Sequence, residues 1–373
     1  MASVDRAHQR RIVIAHRGAC GYRPEHTLEA YRLAIEQGAD FIEPDLVATR
    51  DGVLVARHEN EISGTTDVAQ HPEFASRRTT KVVDGVARTG WFTEDFTLAE
   101  LKTLRAKERI PDVRPANVRY DGQFEIPSFA EVIRLAQSES RDGRKVGVYP
   151  ETKLPTYFLH EGRHCDGSPV DMSLGRLLVD TLVAEGFTDP HRVYIQSFEV
   201  ANLIELKTSI MPAAGVDFPL VQLFGDLCST GPYDVRWHAM RGADIDAVYG
   251  GLAAVVGSMD AQTQYQAFAT EPVLHWMKAH YASGIGPWKD NVLARDRLSP
   301  SRLLLHALQA GLLVHPYTLR AEEPHVASTP TAIDSPVIAE AMQLYALGAH
   351  GVFIDQPDLG VAARDRFLGS GKG

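Results

Sequence analysis

Short apolar runs recur along the chain with amphipathic stretches between them. The runs are RIVIAH at 11–16, FIEPDL at 41–46, VGVYPE at 146–151, RVYIQSF at 192–198, PLVQLF at 219–224, LLVHPY at 312–317 and GVFIDQ at 351–356. The intervening stretches repeat at helical spacing. Thr27–Gln37 places Leu28, Tyr31, Ala34 and Ile35 on one face and is closed by Gly38; Ser128–Gln137 does the same with Phe129, Val132, Ile133 and Ala136; Met172–Glu185 is stopped by Gly186. Strands alternating with helices predict βαβ units and a parallel sheet. A closed (β/α)8 barrel and an open doubly wound sheet both fit. The open sheet would normally carry a Gly-rich phosphate turn after its first strand. The first run is followed instead by HRGACGYRPEHT, which clusters polar residues at a strand's C-terminal end, where barrels keep their chemistry.

Residues 59–126 break the rhythm. They are polar, and one helix is predicted there, over 97–107 (TLAELKTLRAK). A stretch of that length is too long for an unstructured loop inside a compact domain. It reads as a subdomain inserted after the second strand, covering the active-site face of a single domain spanning 1–373.

Composition narrows the function. With 44% hydrophobic and 23% charged residues in 373, the chain has enough apolar sequence for a large core. The formal net charge of −10 and the lack of a basic block argue against nucleic acid as a partner. Cys20, Cys165 and Cys228 form no CxxC pair and signal neither a disulfide framework nor a zinc site. The N-terminal segment MASVDRAHQRR runs into an apolar stretch too short for a signal-peptide core or an integral membrane segment. Removal of an export signal would leave the same sequence, so localisation stays open. An acidic protein can still take an anionic substrate if its carboxylates hold a divalent cation, because the ion dominates the local potential.

The candidate chemistry sits at strand ends. In FIEPDL, Glu43 and Asp45 alternate onto one face, where they form either a solvated strand end or a costly pair of like charges that a cation would offset. Glu151 ends another strand, with Lys153 two residues on. Three carboxylates from strand ends suit a hard divalent cation, Ca²⁺ or Mg²⁺. Glu151 alone reads equally as a salt-bridge partner and Lys153 alone as a solvated lysine; beside a metal, Lys153 suits a phosphoryl oxygen. His16 and His58 each close an apolar run and are either structural or a general acid/base pair for a phosphodiester. Arg17, before the tight turn allowed by Gly18, fits an ion pair or a two-oxygen phosphate contact. Ser197 lacks a GxSxG elbow and reads as a strand-end or core residue. Trp237, Trp276 and Trp288 read as packed aromatics, Tyr317 is a candidate substrate contact, and Asp355 either assists the site or caps the following helix.

The run HRGACGYRPEHTLEAYRLAIEQGADFIEPDLVATRDGVLVARHE resembles the opening signature of the glycerophosphodiester phosphodiesterases: HRG, an EHT helix start, GAD with two spaced acids, a DG turn and a histidine, in that order. The likeness continues through FTLAELKTL, IPSFAEVI, VGVYPETKLP, YIQSF, HYASGIGPWKDNV, LVHPYTLR and GVFIDQPDLGV, and is greatest to the longer bacterial, often exported branch. It implies a (β/α)8 TIM barrel with an insertion after the second strand. The implied reaction is hydrolysis of a small-molecule glycerophosphodiester to glycerol 3-phosphate and an alcohol, with one divalent cation. By the same resemblance, His16 and His58 take the general acid/base positions, Glu43, Asp45 and Glu151 the metal positions, and Arg17 and Lys153 the phosphate contacts. Three positions depart from the pattern: Pro44 between the two acids, Glu59 in place of an aspartate, and His315 in place of a tryptophan. The departures bear on substrate preference more than on reaction type. The rival expectations are a related barrel acting on lysophospholipids and a barrel retained only for binding.

Overall fold

The computed structural model describes residues 11–140, 143–322 and 335–370. The N-terminal residues 1–10, read above for targeting signals, lie outside the described residues. The chain forms two compact units, and it passes from one to the other within the first strand. One unit comprises Ala15–Val193 and Ala213–Val216; the other comprises the described residues within Met1–Ile14, Tyr194–Pro212 and Asp217–Gly373.

In the first of these units, β1 (Ile12–His16) delivers His16. Helix α1 (Leu28–Glu36) starts where the Thr27 side chain accepts from the Ala30 amide and buries Ala30, Tyr31, Ala34 and Ile35, the face expected from spacing. The FIEPDL run is two strands, β2 (Phe41–Glu43) and β3 (Asp45–Ala48), separated at Pro44, which has no N–H for a ladder. β4 (Leu54–Ala56) turns back antiparallel to β3 with Leu46 opposite Ala56.

The stretch after β4 is ordered by pairing more than by helix. Its hairpin joins β5 (Thr79–Val83) to β6 (Val86–Gly90) through Asp84 and Gly85, both at positive φ (50° and 79°) as a two-residue turn of this hand requires. The helix expected over 97–107 is only α2 (Leu98–Leu101), with a Thr97–Glu100 capping box. Beyond it the backbone leaves helical geometry to make long-range bonds: the Asp67 amide donates to Arg105 O, Ala106 N to Phe124 O and Lys107 N to Thr65 O. Tertiary pairing overrides local helix propensity there.

Helix α3 (Phe129–Ser138) begins at a Ser128–Glu131 capping box. The next run is again divided, into β7 (Gly147–Val148) and β8 (Glu151–Thr152), and α4 (Leu174–Ala184) follows. β2 pairs parallel with β7, and β3 with β8.

The second unit continues the alternation. β9 (Ile195–Ser197), β10 (Leu220–Phe224), β11 (Ala282–Pro287) and β12 (Leu313–Val314) form consecutive parallel pairs. Helices α5 (Val200–Glu205), α6 (Tyr233–Met240), α7 (Ile245–Tyr249), α8 (Leu252–Val256), α9 (Tyr265–Phe268), α10 (Glu271–His280) and α11 (Arg302–Gln309) fall between those strands. α12 (Pro336–Ala346), β13 (Gly351–Ile354) and α13 (Pro357–Ser370) close the chain. The four short helices α6–α9 have no counterpart in the sequence reading. Among the described residues no helix is long and apolar enough to cross a membrane.

Candidate active site

The parallel register of β3 and β8 sets Asp45 opposite Glu151. Glu43 stands two residues before Asp45, across the break at Pro44, whose carbonyl accepts from the Glu151 amide at 3.0 Å. One oxygen from each of Glu43, Asp45 and Glu151 lies within 4.8 Å of the others, and all three residues are buried. Glu43 at the end of β2 and Asp45 and Glu151 at the starts of β3 and β8, expected on one continuous strand and at a strand end, are nonetheless brought to one point.

The first turn locks onto the same point. Arg17 has φ 58°, and its amide donates to Glu43 Oε2 at 2.8 Å, which ties the backbone just after His16 to the carboxylates. Gly18 follows at φ 85°; a Cβ there would lie 2.7 Å from the Ala30 carbonyl carbon, so glycine is required for the turn to pack on α1. The Arg17 guanidinium donates from Nη1 to Glu25 Oε2 at 2.9 Å, and its Nε is 3.4 Å from Asp45 Oδ2. Lys153 Nζ is 2.7 Å from Glu151 Oε1 and 3.5 Å from Asp45 Oδ1.

His58 lies just past the end of β4. Because β4 runs antiparallel to β3, its exit lies beside the start of β3, where the Arg57 amide donates to Asp45 O at 2.9 Å. The half-buried His58 ring makes a 2.5 Å contact from Nδ1 to Glu59 Oε1. With the carboxylate as acceptor, Nδ1 carries the hydrogen and Nε2 the lone pair.

The electrostatics are those of carboxylates short of positive charge. Burial, with Asp45 and Glu151 nearby, pushes Glu43 well above the ordinary carboxylate range. Burial pushes Glu151 up to about 8, with Asp45 adding to the shift and Lys153 opposing it. Burial also works against ionisation of Asp45, but Lys153, His26 and Arg17 together hold it well below its usual value. Asp45 Oδ1 is buried without a hydrogen bond. Three hard oxygen donors, a buried carboxylate oxygen without a hydrogen bond and mutual repulsion fit a divalent cation. Burial, with Arg17 and Lys153, lowers His58 to about 3.

Several residues of this region escaped the sequence reading. His26 is fully buried at φ 56° and bridges Asp45 Oδ2 (3.0 Å from Nε2) to the Tyr31 hydroxyl (2.7 Å from Nδ1). It fixes the Asp45 carboxylate. Glu25 accepts from both Arg17 and Arg109, and Arg109 also holds Glu59. The EHT triplet signalled Glu25 and His26; nothing local signalled Arg109.

The remaining candidates lie in the other unit. The Tyr317 hydroxyl donates to Phe224 O at 2.9 Å and its ring meets Phe198 edge-on. His315 is buried against Tyr194, and burial lowers it to about 3. Ser197 ends β9 buried, accepting from the Glu199 amide. Asp355 is buried and ion-paired to Arg320 Nε at 3.0 Å. Trp276 stacks on His280 and Trp237 meets His238 edge-on.

Residues 16–359 match the model of the glycerophosphoryl diester phosphodiesterase family. The chain belongs to that family. A glycerophosphodiester phosphodiesterase of Arabidopsis thaliana is 34% identical over 320 residues, covering 83% of this chain and 74% of the relative. One from Haemophilus influenzae is 32% identical over 372 residues, 94% of this chain and 89% of the relative. Among solved structures, an Oleispira antarctica phosphodiesterase in complex with its product sn-glycerol 3-phosphate superimposes with a TM-score of 0.55 at 19% identity, covering 96% of this chain and 99% of that one. A glycerophosphodiester phosphodiesterase from Agrobacterium tumefaciens gives 0.52 at 18% identity, covering 94% and 99%. The glycerophosphodiester phosphodiesterase resemblance read from HRG through the second histidine is thus the family of the whole chain, and the protein is an enzyme of that class.

Proposed function

We propose that this family member hydrolyses glycerophosphodiesters to glycerol 3-phosphate and an alcohol at the Glu43–Asp45–Glu151 site, on a (β/α)8 barrel with residues 59–126 as its insertion. The observation that carries the proposal is the meeting of three buried carboxylates from two interrupted strands within 4.8 Å, beside Arg17 and Lys153. Glu43, Asp45 and Glu151 would hold one divalent cation, which supplies Lewis-acid polarisation of a nonbridging phosphate oxygen. Arg17 offers a planar fork and Lys153 a point charge to the phosphoryl group, stabilising negative charge as it grows. His16 and His58 exchange protons with the attacking and leaving oxygens. The Nδ1 bond to Glu59 holds His58 in the tautomer with its lone pair on Nε2, which supports a role as the proton acceptor and leaves donation to His16. Tyr317 remains a proposed substrate contact.

The test is kinetic. On glycerophosphocholine with saturating divalent cation, His16→Ala and His58→Ala each lower turnover by ~10² to 10⁴ with an unchanged thermal midpoint. Wild-type turnover in both variants overturns the assignment. Release of glycerol 3-phosphate distinguishes this activity from cleavage of lysophosphatidylcholine, assayed in parallel.

A further inference from the structure

Arg109 comes from the stretch read as an insertion, 84 residues from Glu25 and 50 from Glu59, yet it makes four hydrogen bonds to those two carboxylates. Nε donates to Glu25 Oε2 at 2.8 Å and Nη2 to Glu25 Oε1 at 2.5 Å. Nη1 donates to Glu59 Oε1 at 2.9 Å and Nη2 to Glu59 Oε2 at 2.7 Å. Four of the five guanidinium hydrogens are thereby used, in the fork geometry that only arginine offers.

Each carboxylate has a second partner in the catalytic groups. Glu25 Oε2 accepts from Arg17 Nη1, and Glu59 Oε1 contacts His58 Nδ1. The result is one unbroken chain, Arg17–Glu25–Arg109–Glu59–His58. Two cations and two anions balance within it, which suits a partly buried network.

The loop that carries Arg109 is itself fastened. Glu108 accepts from the Ile110 amide and from Asn117 Nδ2, while Arg114 Nη1 and Asn117 Nδ2 both donate to Cys20 O at 3.0 and 3.1 Å. Asp121 accepts from the Glu108 amide. Arg109 is thus delivered from an anchored turn, as a residue that sets the geometry of others must be.

We propose that Arg109 is a positioning residue: by gripping Glu25 and Glu59 together it fixes Arg17 and the His58 ring in one relative orientation. Its action is exercised through those two carboxylates. The reading rests on the proposed function for its kinetic consequence, but its structural consequence at His58 stands apart from any activity.

Both consequences are measured in Arg109→Lys and Arg109→Gln. Lysine keeps the charge but cannot bond two carboxylates bidentately. Loss of an outer partner of this kind costs activity by roughly 10 to 100-fold. The expected result is a kcat lowered by that factor in Arg109→Gln, with Arg109→Lys recovering only part of it, and KM moved far less. Combining Arg109→Gln with Glu59→Gln should cost little beyond the larger single loss, since both break the same link. In ¹⁵N-edited spectra of the histidines, the His58 Nδ1–H form seen in the parent gives way to a mixture of tautomers in Arg109→Gln. Unchanged His58 signals in a folded Arg109→Gln protein overturn the proposal, whether or not the parent is active on glycerophosphocholine. An inactive parent counts against the proposed function alone. A wild-type kcat in Arg109→Gln beside an active parent also overturns the positioning role.

Discussion

The unit that carries the site buries two acidic clusters and treats them oppositely. Glu94 and Asp95 are fully buried, and Lys81, reaching in from β5, sits 2.9 Å from Glu94 Oε1 and 2.7 Å from Asp95 Oδ2. The Tyr157 hydroxyl donates to Glu94 Oε1 at 2.7 Å, Asn60 Nδ2 lies 3.3 Å from both Glu94 oxygens, and the Cys165 amide donates to Asp95 Oδ1. That cluster carries its own cation and its own donors. At Glu43, Asp45 and Glu151 the lysine contacts one carboxylate closely and stands 3.5 Å from Asp45 Oδ1, and two of the three acids are pushed up. One lysine bridges both carboxylates of the first cluster, whereas at the second three carboxylates converge and raise one another. Buried acids alone therefore do not mark a metal site; the difference here is the mutual repulsion of three converging carboxylates.

The largest effects should come from changing that three-carboxylate cluster. Glu43→Gln, Asp45→Asn and Glu151→Gln should each lower cation-stimulated hydrolysis by about 10²-fold or more, as loss of several kcal/mol of transition-state stabilisation requires. The same proteins separate metal binding from folding. A cation at a hundredfold its Kd should raise the parent's stability by ~2.7 kcal/mol, and each amide variant should lose most of that gain. In chelator, Glu43→Gln should unfold at or above the parent's temperature, because it removes one of the repelling charges. A cation-induced rise in Tm that survives in all three variants would remove the contrast between the clusters.

Changing Lys81 should do the converse. Lys81→Met leaves Glu94 and Asp95 buried without their cation, and breaking such a pair from one side costs about 3 to 5 kcal/mol. The loss should read out as a lower urea midpoint, equal in chelator and in divalent cation. The cation-induced rise in Tm should be that of the parent. If Lys81→Met instead abolished the response to cation, the two clusters would be one system.

What could be read beforehand follows the range of the interactions. The carboxylate cluster was legible because alternation along a strand is local, and it places Glu43 and Asp45 on one face without reference to the rest of the fold. The interruption at Pro44 was legible for the same reason, since a missing N–H acts at its own position. The Asp84–Gly85 turn was equally local and went unread, although it is a strong hairpin signal. Its strands have little apolar alternation, with β6 exposed at Val86–Thr89, so the periodicity that revealed the other strands was absent. The helix expected over 97–107 shrank to Leu98–Leu101 because Arg105–Lys107 bond to segments before and after them in the chain. Arg109 is the extreme case. Its role exists only through Glu25 and Glu59, and a basic residue in a polar stretch carries no sign of such partners. The exit of β4 beside Asp45 likewise depends on an antiparallel return that an apolar run does not announce.

A further buried acid, in the other unit, sharpens the contrast at smaller scale. Asp234 on α6 is fully buried; its Oδ2 accepts from the Ala201 amide at the start of α5 at 2.7 Å and from the Tyr249 hydroxyl at 3.1 Å, while Oδ1 has no hydrogen bond. Burial raises it to about 6 despite these donors. A folded-state value above that of the unfolded chain means that folding takes up a proton. The stability contributed by Asp234 is present in full below about pH 4 and is lost as pH rises through about 6. At 1.36 kcal/mol per pKa unit the loss amounts to ~2 to 3 kcal/mol. Asp234→Asn keeps an oxygen for the Ala201 amide and does not ionise. The difference in unfolding free energy between variant and parent should therefore move in the variant's favour by that amount between pH 4 and pH 7. A difference that stays flat across this range would show that burial does not perturb Asp234.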